Sequence, residues 1–102
     1  MNKIPNFKLE QVPSHKIAFA LTSPIDYEME RILLAQDWPD WSDYTLIQGW
    51  HCSCYDFDEA KWDAIRYGET ELCQVLLGWH ERGDGLERQF SELAMAYILM
   101  EF

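Results

Sequence analysis

The residues with the clearest potential for metal chemistry begin at His51-Cys52-Ser53-Cys54. Zinc takes four thiolate or imidazole ligands in a tetrahedron. On a strand Cys52 and Cys54 share one face, and on a helix Cys73 and His80, seven residues apart, share another. These four residues form a candidate zinc site. Their spacing differs from the Cys-x-x-Cys of common zinc motifs, and free cysteine is often simply buried. We therefore expect no cofactor and a fold that does not depend on metal, with zinc as the alternative.

A second pattern could support hydrolysis of nucleic acid. Pro39-Asp40, followed by Glu59-Ala60-Lys61, matches a short nuclease pattern in which two carboxylates hold a divalent metal and the lysine orients a water. Cysteine catalysis is disfavoured, because His51 and Cys52 are adjacent and point to opposite sides of a strand. The metal-dependent nuclease is the enzymatic alternative, and the favoured interpretation assigns no catalytic residues.

A third feature is the segment from Asp37 to Asp63, which is rich in both carboxylates and large aromatic residues. Full burial of five tryptophans in 102 residues is difficult, so some of these rings should lie exposed beside the carboxylates. Exposed tryptophan is typical of interaction hot spots, and carboxylates around it steer basic partners. The alternative without a binding function is a solvated loop whose aromatic rings pack into the core. The candidate partner-binding residues are Asp37, Asp40, Trp41, Asp43, Asp56, Asp58, Glu59, Trp62 and Asp63.

The composition limits the classes of partner. The net charge is −10, from 8 basic and 18 acidic residues. So few cations disfavour direct binding to nucleic acid or to an anionic membrane surface. We expect no membrane span and no signal peptide, because no apolar run approaches the ~20 residues that a span needs. Three cysteines in an apolar-rich chain favour the reducing cytosol over a disulfide framework.

The elements that must position these residues follow from periodicity and from turn residues. Alternation predicts a strand over 15–21, and the prolines and aspartates predict a loop over 37–43. The order predicts one α+β domain over 1–102, in which about three helices pack on a small antiparallel sheet, with 1–13 as an extended arm. The remaining predicted elements are a helix over 24–36, a hairpin of strands 44–55 and 61–67 with a candidate bulge at Gly49, a helix from Glu69 to about Leu77 or Arg82, and a last helix opened by Asp84.

The last helix carries an apolar stripe that we expect to be buried. Leu86, Phe90, Leu93, Ala94 and Tyr97 recur at helical spacing, and the end of the chain is apolar almost all round. Such a terminus belongs in the core or against a partner. A structural subunit that forms a homodimer through this C-terminal helix is therefore a further alternative.

The run from His51 to Glu59, followed by Trp62-Asp63, resembles a motif in small acidic proteins of bacteriophages and other mobile elements. The resemblance covers the central hairpin only. It implies an accessory protein in the cytosol of the host bacterium. Proteins of this kind often inhibit host defence, as anti-CRISPR and anti-restriction proteins do. Together with the acidic charge, this resemblance leads us to expect a basic, nucleic-acid-handling partner, a host defence protein such as a CRISPR effector or a DNA-processing protein, toward which carboxylates stand in for phosphates.

Overall fold

The computed structural model describes residues 2–22, 28–41, 43–52, 61–83 and 85–100. They form one antiparallel sheet of order β1-β5-β4-β3-β2, with two α-helices on one face. Short 3-10 helices at Leu9–Gln11 and Ser14–Lys16 precede β2. The predicted α+β class is confirmed, although the described residues hold two α-helices where about three were expected. The elements are β1 (Asn2–Lys3), β2 (Ile17–Thr22), β3 (Glu28–Gln36), β4 (Tyr44–Cys52), β5 (Lys61–Tyr67), α1 (Glu69–Arg82) and α2 (Gly85–Met100).

The helix predicted over 24–36 is wrong where the structure describes it. Residues 28–36 form β3, which pairs with β2 on one side and with β4 on the other. The run from Ile32 to Ala35 is at most 4% exposed. Alternate residues of this run point to opposite faces, and both faces are covered. A strand buried on both sides has no polar face, so its period of two is hidden and helical spacing can arise by coincidence.

The main core lies between the sheet and the two helices. Leu72 and Leu76 of α1 are fully buried, as are Phe90 and Ala94 of α2. The core faces of the strands supply Ile32, Leu34 and Leu46. The predicted burial of Leu93 is wrong, because this side chain is 50% exposed. The buried stripe of α2 runs instead through Phe90, Ala94 and Ile98.

A second core covers the opposite face of the sheet. There Leu33, Ala35, Ile47 and Ala64 contact Val12 of the N-terminal segment. Additional partly buried side chains on this face are Ile4, Phe7, Leu9, Ile17, Trp38 and Trp62. The Phe7 ring meets the Trp38 ring edge to face at 6.0 Å. The residues before β2 therefore close the face that the helices leave open.

Most other predicted elements agree with the observed ones within the described residues. Strand β5 spans 61–67 as predicted, and β4 begins at Tyr44 as predicted, while 53–55 lie outside the described residues. Helix α1 continues through Gly78 to Arg82. The proposed capping residue Asp84 lies outside the described residues.

Gly49 has a different role from the predicted bulge. Strand β4 pairs with both neighbours through Gly49 without a shift of register. A Cβ at this position would lie 2.5 Å from carbons of the Trp62 ring, which packs directly over the glycine. The glycine makes room for the ring on the face that the N-terminal segment covers.

We expect Gly49→Ala to lower the free energy of unfolding by about 1–3 kcal/mol, because the added methyl overpacks the Trp62 ring. Urea denaturation followed by circular dichroism measures the change. Gly68→Ala is the control, since a Cβ there would meet no atom closer than 3.8 Å. Equal stability of the Gly49 variant and the wild type would show that the ring does not need the vacant position.

Candidate functional site

The loop between β3 and β4, residues 37–43, is called the Trp41 loop below. Its ends are joined by a hydrogen bond of 2.7 Å from the Asp37 amide to the Asp43 carbonyl. The Thr45 hydroxyl donates to the Trp38 carbonyl at 2.7 Å, which attaches the loop to β4. These bonds close the described part of the loop on itself and on the sheet.

Arg66 on β5 holds the Trp41 loop in place by pairing with two of its carboxylates, and we call this contact bracing. Its guanidinium contacts the Asp40 carboxylate at 2.8 Å and also pairs with Asp43. The hydrogen bond to Asp43 is the main cause that raises the pKa of Arg66, so the guanidinium remains charged. One cation therefore binds two loop carboxylates and offsets part of their charge.

The side chain of Trp41 projects from this braced loop and is 82% exposed. Two exposed carboxylates precede it in the loop, those of Asp37 and Asp40, and the Asp40 side chain is 68% exposed. Sequence reasoning proposed both kinds of residue but missed Arg66. Its role depends on the strand register that brings β5 under the loop, and no local pattern reveals it.

Two further candidates have different surroundings. Trp62 is partly buried in the second core, so its expected exposure is wrong. Asp63 follows it on the opposite face of β5, and its carboxylate lies 3.2 Å from the Lys3 ammonium group. These residues do not join Trp41 in one exposed patch.

The described residues that flank the two groups of candidates in sequence lie at opposite ends of the sheet. Gln36, Tyr44 and Tyr67 are paired at the end that carries the Trp41 loop. Cys52 and Lys61, which flank Asp56, Asp58 and Glu59 in sequence, lie at the opposite end. Those three carboxylates themselves lie outside the described residues. At about 3.3 Å per residue, the eight steps along the nine residues of β4 separate the two ends by about 26 Å.

The same separation bears on the nuclease pattern. Asp40 lies beside Arg66 near the end of β5, whereas Lys61 begins that strand. Glu59 lies outside the described residues. The described part of the pattern therefore does not bring its carboxylate to its lysine.

The candidate zinc ligands are described only in part. Cys73 and His80 both lie on α1, and the imidazole Nδ1 of His80 is 3.7 Å from a Glu92 carboxylate oxygen. Cys54 and the side chain of Cys52 lie outside the described residues. Within the described ranges, no three potential ligands cluster closely enough to hold a metal ion.

A groove of about 410 Å³ lies beside the Trp41 loop. Trp38 and Pro39 of the loop line it together with Ile4 and Pro5 of the N-terminal segment. Arg66, Lys3 and Gln11 complete the lining. The groove thus adds a largely apolar depression that two residues of the Trp41 loop help to line.

One further carboxyl was not singled out by its sequence. Glu30 on β3 accepts a hydrogen bond of 3.2 Å from the Trp50 indole nitrogen. Partial burial raises the pKa of Glu30 above its ordinary value of 4.5, and the negative charge of Glu87 raises it further. The hydrogen bond from Trp50 opposes these effects without cancelling them.

This raised pKa predicts that the stability of the folded protein depends on pH. Because folding raises the pKa of Glu30, the folded state holds this proton more tightly than the unfolded chain does. The contribution of Glu30 to stability is then complete below about pH 4.5 and is lost as the pH rises through the folded pKa. We expect Glu30→Gln to be more stable than the wild type at pH 7, and this gap should close on acidification.

Thermal melts of both proteins between pH 4 and pH 7 measure the gap. Glu81→Gln is the control, because it removes the same charge from an exposed position of α1. A gap that stays constant with pH would contradict the assigned role of Glu30.

Comparison with known protein families, characterised proteins and solved structures gives no match for this chain. The resemblance to phage-encoded proteins stays a prediction. Among the described residues, neither α-helix combines the length and the apolar character that crossing a membrane requires.

Proposed function

We propose that this protein is a non-enzymatic interaction module whose Trp41 loop binds a basic surface of another protein. The observation that carries the proposal is the 82% exposure of Trp41 on a loop that Arg66 braces through Asp40 and Asp43. The acidic charge favours a basic, nucleic-acid-handling host protein as the partner, and the sequence resemblance implies that the module is a phage-encoded inhibitor.

The bracing favours a role in binding. A tryptophan that inserts into a partner pocket contributes strongly to affinity, since such anchors dominate the energy of many interfaces. Ordering a mobile loop during association would subtract from that energy. Hydrogen bonds within the loop and the Arg66 contacts hold it in place before a partner arrives. The neighbouring groove offers a second, concave contact.

The charge favours a basic partner. Asp37, Asp40, Glu69 and Glu71 are exposed at the end of the sheet that carries the loop. Carboxylates around a hot spot raise the rate of association with a cationic surface. The carboxylates can imitate the phosphates of only a short stretch of nucleic acid, because ~30 Å of duplex carries about 18 phosphate charges. A protein of net charge −10 can match a short segment or a basic pocket but not a long duplex.

The test is capture from a bacterial lysate with immobilised wild type, Trp41→Ala and Trp50→Ala, quantified by mass spectrometry. Trp50 is the matched control, because it is 41% exposed and lies near the opposite end of the sheet. We expect a basic nucleic-acid-handling protein that binds the wild type and the Trp50 variant but is lost with Trp41→Ala. A captured set that Trp41→Ala leaves unchanged would contradict the proposal.

A further inference from the structure

Strand β2 is the outer strand on one side of the sheet. It pairs with β3 from Ile17 to Thr22, and no described residue pairs with its other edge. An uncovered edge presents unpaired backbone donors and acceptors to another strand. Proteins usually protect such edges with charged residues, proline, bulges or short strands. The residues of β2, Ile-Ala-Phe-Ala-Leu-Thr, include no charge and no proline, and the irregularity between Ile17 and Phe19 leaves Phe19–Thr22 as the regular part of the edge.

Helix α2 packs against this edge strand and the neighbouring β3. The Phe19 ring of β2 contacts the Phe90 ring at 5.1 Å and the Tyr97 ring at 5.8 Å. Beyond these contacts, spacings of three and four residues align an uncharged side of the helix. This side consists of Leu86, Gln89, Leu93 and Ala96, and Leu93 is 50% exposed.

This edge differs from the rest of a strongly acidic molecule. The described charged residues of α2, namely Glu87, Arg88 and Glu92, fall on other sides of the helix. A basic partner would gain nothing from the uncharged edge and would select the carboxylate-rich surfaces instead. A suitable partner must pair with β2 in the sheet and must also cover Leu93 on helix α2.

We propose that a second copy of this chain binds at this edge, β2 against β2 and α2 against α2 across a twofold axis. An extended peptide would satisfy the strand but would leave the helix side uncovered. A second copy offers both a strand for β2 and a helix for α2, because each copy carries the same strand packed against the same helix. Antiparallel pairing of two identical strands is compatible with twofold symmetry. The two sheets would then join into one continuous sheet.

Sedimentation equilibrium of the full chain from about 1 to about 100 µM tests the proposal. We expect a dimer whose dissociation constant rises at least tenfold in Leu93→Glu, because the new carboxylate is buried against its symmetry mate. Leu77→Glu is the matched control on α1, where the leucine is 49% exposed. Its dissociation constant should stay near that of the wild type, and circular dichroism melts verify that both variants fold.

Hydrogen exchange provides an independent readout of the strand. Amides of β2 should become more protected as the wild-type concentration rises, and Leu93→Glu should remove that gain. A monomeric wild type at 100 µM would overturn the proposal, as would equal effects of the two glutamate substitutions or a dimer without added protection in β2. None of these outcomes depends on the Trp41 loop, so each leaves the proposed function to its own test.

Discussion

We expect Phe90→Ala to lower the free energy of unfolding by about 3–5 kcal/mol, the range for removing a large aromatic side chain from a packed core. Phe90 is fully buried and touches the rings of Phe19 and Trp79 from two other elements. Its loss therefore leaves a cavity where the sheet and both helices meet. Urea denaturation measures the change, which would remove much of the stability of a domain of this size.

Leu99→Ala on the same helix is the control for Phe90. Its side chain is 72% exposed, so the substitution should change the stability by no more than about 0.5 kcal/mol. Equal losses in the two variants would show that the buried stripe of α2 is placed incorrectly.

The second large effect concerns binding. Once a partner is identified, Trp41→Ala should speed dissociation by roughly 30-fold or more, because a desolvated aromatic anchor contributes 2 kcal/mol or more. The thermal midpoint should not change, since Trp41 is 82% exposed. Surface plasmon resonance measures the rates, with Trp50→Ala as the control that should leave them unchanged.

The negative charge of the same loop should change the rate of association, not the rate of dissociation. Asp37→Asn removes one exposed carboxylate and keeps a side chain that tolerates the left-handed backbone at this position, where φ is 57°. Asp40 and Asp43 are less suitable, because their loss would also release Arg66. The Asp37 variant should associate more slowly at low salt, and this difference should shrink as salt screens the charge. Salt-independent rates for both proteins would contradict electrostatic steering.

The sequence predicted those elements whose pattern has one polar side. Helix α1 exposes most of the face opposite Leu72 and Leu76, so its periodicity was visible. Strand β3 shows no polar face in the sequence, because tertiary structure buries both of its faces. The second covering layer comes from the residues before β2, which have the prolines typical of a linker. No local pattern shows that these residues pack on the sheet.

The candidate site was predictable in its residue types but not in its assembly. Trp41 and Trp62 both stand beside aspartate in the sequence, yet Trp41 is exposed and Trp62 packs over Gly49. Only the pairing of β4 with β5 distinguishes them. The same pairing places Arg66 under the loop, so the number of free carboxylates near Trp41 is smaller than the sequence indicates.

Amide hydrogen exchange of this protein with and without its captured partner tests the binding surface most directly. The Trp41 loop and the residues that brace it should gain protection in the complex, while the outer edge of β2 should not change at a fixed low concentration. Protection that appears only in other segments, with residues 37–43 exchanging as in the free protein, would contradict binding through the Trp41 loop.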